Sequence, residues 1–541
     1  MNKLYFGDNL HILREHFPNE SVDLIYLDPP FNSKRDYSVL FKTPKGHESD
    51  AQITAFEDSW HWGEQAEREF SELEQSQHTD VAEMMIALRK FLSTNDMMAY
   101  LTMMANRLLE LRRVLKPTGS IYLHCDPTAS HYLKIIMDGV FGKENFRNEI
   151  VWKRADAHND PRKCGGVHDI LLFYTKTSTY TWNPVYTEYS DSYLAEKWNK
   201  APDGRLYKCD DMTDPRRSMK EYDFMGSTAR WRTGEEGMLE LWNALQTTVP
   251  NSHGRIKLTK EGVPRKDCKI TFLEERPGAP IQDVWTDVKS LRGGADERLG
   301  YPTQKPLALL ERIVKASSNE GDVMLDPFCG CGTAVHAAQK LKRQWMGIDI
   351  THLAISLIEK RLKDAFPGII FEIEGTPKDL DGARDLFNRD AYQFQWWACS
   401  IVNAAPYQGK KKGADSGIDG LIFFHDDKSG AKKIVVSVKG GNNVNVAMVR
   451  DLGHVVDREK AAMGFFVTLA EPTRPMKEEA VSAGFYDAPR FGSEYPKLQI
   501  LTIEALMAGT ERPRYPDLTL GRSTFKRAAV EDMGAEQERL L

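Results

Sequence analysis

Short apolar runs that stop at an acid or a proline alternate along much of this chain with longer stretches whose apolar residues recur at helical spacing. Ser21-Val22-Asp23-Leu24-Ile25-Tyr26-Leu27 runs into Asp28 and two prolines, the pattern of a buried strand with a rigid turn at its carboxyl end. Residues 35–95 read as polar and irregular. A helical period covers Met97–Leu115 and is stopped by Pro117 and Gly119, and a strand is expected at Ser120–Cys125. Asp126-Pro127 reads as a helix N-cap followed by proline at the first helical position, opening a helix to about Phe141. Further strands are predicted at Glu149–Lys153 and Asp169–Tyr174. From about 177 to 285 the periodicity fades into a stretch rich in Arg, Lys, Trp, Tyr, Gly and Asp. Alternation returns with a helix at Pro306–Ser317, a strand at Val323–Asp326, a helix after Gly332, a strand at Gln344–Ile350 and a helix to about Ala365. Strands alternating with helices predict an α/β fold with a parallel sheet, interrupted by an insert and then resumed. A second α/β segment spans about 380–510, and the polar last thirty residues are expected to be mobile.

At 541 residues the chain exceeds the roughly 250–300 at which one core stops growing, so several domains are expected. The predicted organisation is 1–176 and 286–375 as two halves of one α/β domain, 177–285 as an insert, 380–510 as a second domain and 511–541 as a polar tail. A hydrophobic content of 41 % without an apolar run near the ~20 residues of a membrane span excludes a transmembrane helix and a membrane partner. The first residues lack the apolar stretch and cleavage site of a signal peptide, so a cytoplasmic location is expected. Seven scattered cysteines argue against a disulfide framework and against a zinc site. A net charge of −6 is no signature of nucleic-acid binding by itself, so a DNA partner would have to meet a local basic surface.

Two distant segments carry candidate chemistry. In the later one, a strand ending at Asp326 leads through Phe328, Gly330 and Gly332 into a helix, and a second strand ends at Asp349. Such a loop sets backbone N–H groups and a helix N-terminus beside a crevice, which suits a carboxylate or phosphate. Asp349 is placed to accept hydrogen bonds from ribose hydroxyls, and the absence of GxGxxG disfavours a dinucleotide. A glycine-rich turn alone is also a common tight connection. In the earlier segment, Asp28, Pro29, Pro30 and Phe31 form a rigid acidic turn followed by an aromatic ring.

The pair resembles the motifs of the bacterial beta-class DNA amino-methyltransferases, including modification subunits of type III restriction systems. The resemblance rests on Asp28-Pro29-Pro30-Phe31, Tyr301-Pro302-Thr303-Gln304-Lys305-Pro306, Asp326-Pro327-Phe328 through Gly332, and Gly347-Ile348-Asp349. Phe6-Gly7-Asp8-Asn9-Leu10, Gly119 through Asp126 and Phe146 through Trp152 extend it over about residues 1–375. It implies a Rossmann-like S-adenosylmethionine-dependent fold, with Thr303, Lys305, Asp326, Phe328, Gly330, Gly332 and Asp349 around the cofactor. The order, tetrapeptide first and cofactor loop last with target recognition between, favours DNA over ribosomal RNA. Asp28 and the Pro29 carbonyl would accept the two hydrogens of an exocyclic amino group, and Phe31 would stack on a base taken out of the duplex. An aspartate before Pro-Pro-Phe resembles the N6-adenine enzymes more than the N4-cytosine ones, while C5 methylation is disfavoured because the chain has no Pro-Cys pair. Arg154, Arg162, Lys163, Arg216, Arg217, Arg230 and Arg232 are candidate phosphate or base contacts, each also readable as a solvated charge.

Gly413 through Gly420, the predicted strand Lys433–Val438 and Lys439-Gly440-Gly441 resemble the Mrr-like branch of the restriction-endonuclease fold. Asp419 and Lys439 match its Mg²⁺ and water-activating pattern, but Ser437 stands where a second carboxylate or glutamine belongs, and Gln395 follows Phe394 where a glutamate would be expected. Asp419 would be the metal ligand if this domain cleaves, and a DNA-binding or docking module of nuclease fold is the preferred reading. The sequence therefore points to an S-adenosylmethionine-dependent adenine-N6 methyltransferase on double-stranded DNA. An N4-cytosine enzyme, a fused Mg²⁺-dependent endonuclease and a non-catalytic DNA-binding module are the alternatives. A homodimer and a separate restriction subunit are family expectations.

Overall fold

In the computed structural model the described residues are 2–30, 36–42, 48–57, 62–156, 162, 164–214, 216, 218–291, 297–299, 301, 303–407, 417–424, 432–488, 493–516 and 528–531. Their centre is a nine-stranded sheet. Its strands in chain order are β1 (Lys3–Phe6), β2 (Val22–Leu27), β3 (Leu115–Cys125), β4 (Phe146–Lys153), β5 (His168–Thr175), β6 (Val284–Trp285), β7 (Val323–Asp326), β8 (Gln344–Asp349) and β9 (Glu372–Glu374). In space they run β6-β4-β5-β3-β2-β7-β8-β1-β9. The sheet is mixed rather than wholly parallel, because β5 is antiparallel to both β3 and β4. Between β2 and β7 the chain reverses its direction of growth across the sheet, and there Leu24 lies beside Met324 and Ile25 beside Leu325. The carboxyl edge at such a switch point is where α/β sheets form their binding crevices.

The apolar runs account for the burial. Leu24, Ile25 and Leu27 on β2 and Leu325 on β7 are fully buried, as strands covered on both faces require. Helix Asp96–Val114 is capped by Asn95, whose side chain accepts from Met98 N, and carries Arg112 and Arg113 in its last turn. The described residues between 36 and 95 are more ordered than their polarity suggests. They hold a hairpin pairing Asp36–Lys42 with Glu48–Glu57 and two helices, Glu64–Glu74 and Thr79–Leu92. Phe70 and Leu73, then Val81, Met85 and Leu88, recur every three or four residues and enter the main core, a narrow stripe outnumbered by charged positions. The helix expected to open at Asp126 begins instead at Ser130, because Asp126 accepts from Thr128 N and Thr128 Oγ1 in a turn of its own.

Pro184–Gln282 forms a separate compact unit. A five-stranded antiparallel sheet runs through Leu206–Asp210 and Pro264–Phe272, over a core of Tyr207, Cys268, Ile270 and Phe272. Contrary to the expectation from the scattered cysteines, Cys209 and Cys268 are joined. Their strands are antiparallel partners, which brings together residues 59 apart in sequence.

The C-terminal segment builds a second sheet from β10 (Ala405–Pro406), β11 (Gly420–Phe424), β12 (Lys432–Lys439), β13 (Met463–Thr468) and β14 (Leu498–Thr502), in that spatial order. Its core is continuous with Tyr301, Cys331, Leu353 and Leu357 beside the first sheet. The polar tail is not uniformly loose. Tyr515 packs on Phe424 and Phe465, and Glu531 N donates to Ala365 O.

Strand β8 packs tightly at Gly347, where an added Cβ would clash with Cys329 Sγ and stand 3.0 Å from Leu4. Gly347→Ala is expected to destabilise the protein by about 1–3 kcal/mol, read as a lower urea midpoint.

Candidate active site

Four strand ends converge at the carboxyl edge of the first sheet. Asp28 and Pro29 follow β2, Asp326 ends β7, Asp349 ends β8, and Gly7 after β1 donates its N–H to Asp349 O at 3.0 Å. Lys305, immediately before helix Leu307–Ser317, reaches across to Asp28, Nζ to Oδ2 at 2.5 Å, with only 11 % and 16 % of the two side chains exposed. Gln304 fixes the segment that delivers this lysine: its amide donates to Glu297 O, and its carbonyl accepts from Leu299 N. The other carboxylate oxygen, Asp28 Oδ1, is buried and has no hydrogen-bond partner among the described residues. An acceptor held in this way is costly unless a donor arrives.

Asp326 accepts from Phe328 N at 3.0 Å, and its acidity is lowered strongly, first by burial and then by the charges of Asp28 and Asp349. Asp349 ties the glycine loop to the next helix: Oδ2 accepts from Gly330 N, and Oδ1 from Thr351 N and Thr351 Oγ1. Burial pushes its carboxyl up to about 6, against these three hydrogen bonds. Gly330 and Gly332 have φ of +52° and +74°, and a Cβ on Gly332 would stand 2.8 Å from Ile358. Both positions thus need glycine for backbone conformation, the second for space as well. Lys305 neutralises Asp28, and the carboxyls of Asp326 and Asp349 are both pushed up by burial, so a nearby cation would relieve the cost of ionising them.

Thr303 and Phe328 are half-buried at the same edge, whereas Phe31 lies outside the described residues. Arg107, which the sequence pattern did not single out, braces the same edge. It is 5 % exposed; Nε donates to Asn9 Oδ1 at 2.6 Å and Nη2 to Asp8 Oδ2 at 2.7 Å, while Asn9 Nδ2 donates to Pro327 O. The loop after β1 is thereby fastened to the loop after β7. Its signal in the sequence was Asn106-Arg107 on an otherwise apolar helix face. Tyr26, His124 and Asp169 form a second buried chain, Tyr26 Oη to His124 Nδ1 at 2.9 Å and His124 Nε2 to Asp169 at 3.3 Å. Arg154, a candidate DNA contact, ion-pairs with Asp169 at 2.9 Å. Arg162, Arg216 and Arg232 are exposed and Arg230 is half-buried, while Lys163 and Arg217 lie outside the described residues.

In the C-terminal sheet Gln395, Asp419, Ser437 and Lys439 come together. Asp419, 8 % exposed, accepts from Val438 N at 2.6 Å, Ser437 Oγ at 3.3 Å and Gln395 Nε2, with Lys439 Nζ at 4.0 Å. Donors occupy the carboxylate where a metal would bind, and among the described residues no cluster of three or more His, Cys, Asp or Glu could hold an ion. The segment 413–416 lies outside the described residues. No helix among the described residues is long and apolar enough to cross a membrane.

A profile of the DNA methylase family, N6_N4_Mtase, matches residues 22–360, and one described as NACHT-associated inactive Restriction Endonuclease 1 matches residues 400–508. The type II methyltransferase M.EcaI of Enterobacter cloacae is 29 % identical over 264 residues, 49 % of this chain and 57 % of that protein. The StyLTI Mod subunit, a type III restriction-modification enzyme of Salmonella typhimurium, is 26 % identical over 355 residues, 63 % of this chain and 50 % of its own length. The chain thus spans about half the length of these curated relatives. A solved structure from Thermus thermophilus, a DNA modification methylase complexed with S-adenosyl-L-methionine, is 15 % identical with a TM-score of 0.34, and the match covers 69 % of this chain and 98 % of that one.

An acid whose folded-state pKa is raised holds its proton more tightly when folded, so it lowers stability as pH rises from its unfolded to its folded value and is flat above. For Asp349 that window runs from 3.8 to about 6. Asp349→Asn is expected to remove this slope from unfolding midpoints measured across the window.

Proposed function

The chain belongs to the DNA methylase family, and from that premise we propose that it transfers a methyl group from S-adenosylmethionine to the N6 amino group of adenine in double-stranded DNA. The observation that carries this reading is the Asp28 carboxylate, with one oxygen held by Lys305 and the other buried without a partner among the described residues. An exocyclic amino nitrogen is a poor nucleophile because its lone pair is delocalised into the ring. Asp28 Oδ1 and the Pro29 carbonyl accept its two hydrogens and favour a pyramidal nitrogen, and Pro29 and Pro30 keep both acceptors from swinging away. Lys305 orients the carboxylate so that Oδ1, rather than Oδ2, faces the incoming donor. The proton shed by the methylated nitrogen leaves toward the same acid.

Asp326, Phe328, Gly330, Gly332, Asp349, Thr303 and Lys305 are the residues that would hold the cofactor. The fit rests on the carboxylate of Asp349 at the strand end beside the glycine loop, and on two glycines that leave the loop backbone open to close approach. S-adenosylmethionine supplies the electrophilic methyl group. Target recognition belongs to the unit Pro184–Gln282, and a base must leave the duplex to reach Asp28, at a cost of a few kcal/mol. The C-terminal domain acts as a non-cleaving module of nuclease fold, because Asp419 is occupied by donors.

Asp28→Asn is expected to lower transfer of tritiated methyl to unmethylated duplex DNA about 10²- to 10³-fold while donor binding persists. Nucleoside mass spectrometry of the product should show N6-methyladenine; N4-methylcytosine would overturn the choice of base. Asp419→Ala should leave Val438 N–H and Gln395 unpaired and cost about 1–3 kcal/mol in chemical unfolding, and Mg²⁺ should produce no DNA cleavage by the unaltered protein.

A further inference from the structure

Arg361, on helix His352–Ala365, is 3 % exposed. Its guanidinium makes no direct ion pair among the described residues. Nη1 donates to Cys331 O at 3.1 Å and Thr333 Oγ1 at 3.0 Å, the backbone and the first helical residue of the glycine loop, and Nε donates to His336 Nδ1 at 3.1 Å. Because His336 Nδ1 accepts, the neutral ring carries its hydrogen on Nε2, which then donates to Glu531 Oε1 at 2.9 Å. Glu531 also takes an ion pair from Lys340 at 3.1 Å, and its backbone N–H is pinned on Ala365 O. A buried guanidinium needs compensating charge. Here two carboxylates supply part of it, Glu297 and, across a histidine, Glu531 in the C-terminal tail, 200 residues beyond Cys331.

We infer that Glu531 is a positioning residue for the cofactor loop, acting through His336 and Arg361 on Cys331 and Thr333, so that seating of the tail sets the affinity of the crevice for S-adenosylmethionine. The link to that ligand rests on the proposed function; the link to the loop does not. Burial holds the His336 ring neutral, pushing its pKa down to about 4, so the polarity of the relay is fixed at neutral pH. The other hydrogen-bonded partners of Arg361 are a carbonyl, a hydroxyl and a thiol, and the further carboxylate that acts on its charge, Glu297, does so without a direct hydrogen bond.

The test uses the full chain and its Glu531→Ala and Glu531→Gln variants, with two readouts. Hydrogen–deuterium exchange of residues 329–336 in ligand-free protein is expected to accelerate in Glu531→Ala. Calorimetric titration with S-adenosylmethionine is expected to give about a tenfold higher Kd, the size of losing one charged hydrogen bond. Methyl transfer at saturating donor should stay within about twofold, since the loss is in binding rather than in the transfer step. Glu531→Gln keeps an oxygen for His336 without the charge and should fall between. It serves as the test protein if Glu531→Ala does not fold. Unchanged exchange together with an unchanged Kd would overturn the inference. Faster exchange in a protein whose unaltered form binds no S-adenosylmethionine would uphold the coupling of tail to loop and remove the functional reading instead.

Discussion

The ion pair between Lys305 and Asp28 joins residues 277 apart and holds together the two halves of the crevice. It exists because of sheet topology. β2 and β7 are immediate neighbours although the whole unit Pro184–Gln282 separates them in the chain, so the turn after one strand lies within reach of the segment that precedes the other. Lysine is suited to the task, being a compact charge on a long stem that can cross the edge and neutralise one oxygen while leaving the second, buried one without a partner among the described residues. Much of the surrounding structure keeps that geometry in place. Gln304 shapes the segment carrying the lysine, and Arg107 holds Asn9, which in turn donates to Pro327 O.

The same edge concentrates acids that would repel one another in the absence of a cation. Asp326 is driven toward its neutral form by burial and by two neighbouring carboxylates, and Asp349 is held by three donors that only partly offset its burial. Such a site is poised for a positively charged ligand, and its stability and its affinity oppose each other: the features that cost stability in the free protein are those that a cation would relieve. The glycine loop answers the remaining demand, a backbone open to close approach.

The sequence made the strand ends legible because they combine apolar runs with abrupt polar stops, as at Leu27-Asp28 and Leu325-Asp326. It also made plain that Ser437 and Gln395 stand where acids would serve a nuclease, and the structure places both against Asp419. What stayed hidden depends on partners far away in the chain. Arg107 and Arg361 look like ordinary helix charges until folding buries them. Cys209 and Cys268 look unrelated until antiparallel pairing aligns their strands. Glu531 sits in a polar tail whose composition suggested mobility, and its contacts with His336, Lys340 and Ala365 appear only in the folded chain. The helices Glu64–Glu74 and Thr79–Leu92 were obscured because their apolar stripes are narrow and their charged faces broad.

The measurement that bears most directly on this account is a double-mutant cycle of single-turnover methyl transfer at saturating S-adenosylmethionine with Asp28→Asn, Lys305→Met and the pair combined. If Lys305 acts through Asp28, the combined variant should be no slower than Asp28→Asn alone. Losses that multiply, as for two independent sites, would contradict the claim that one ion pair joins the catalytic turn to the cofactor half.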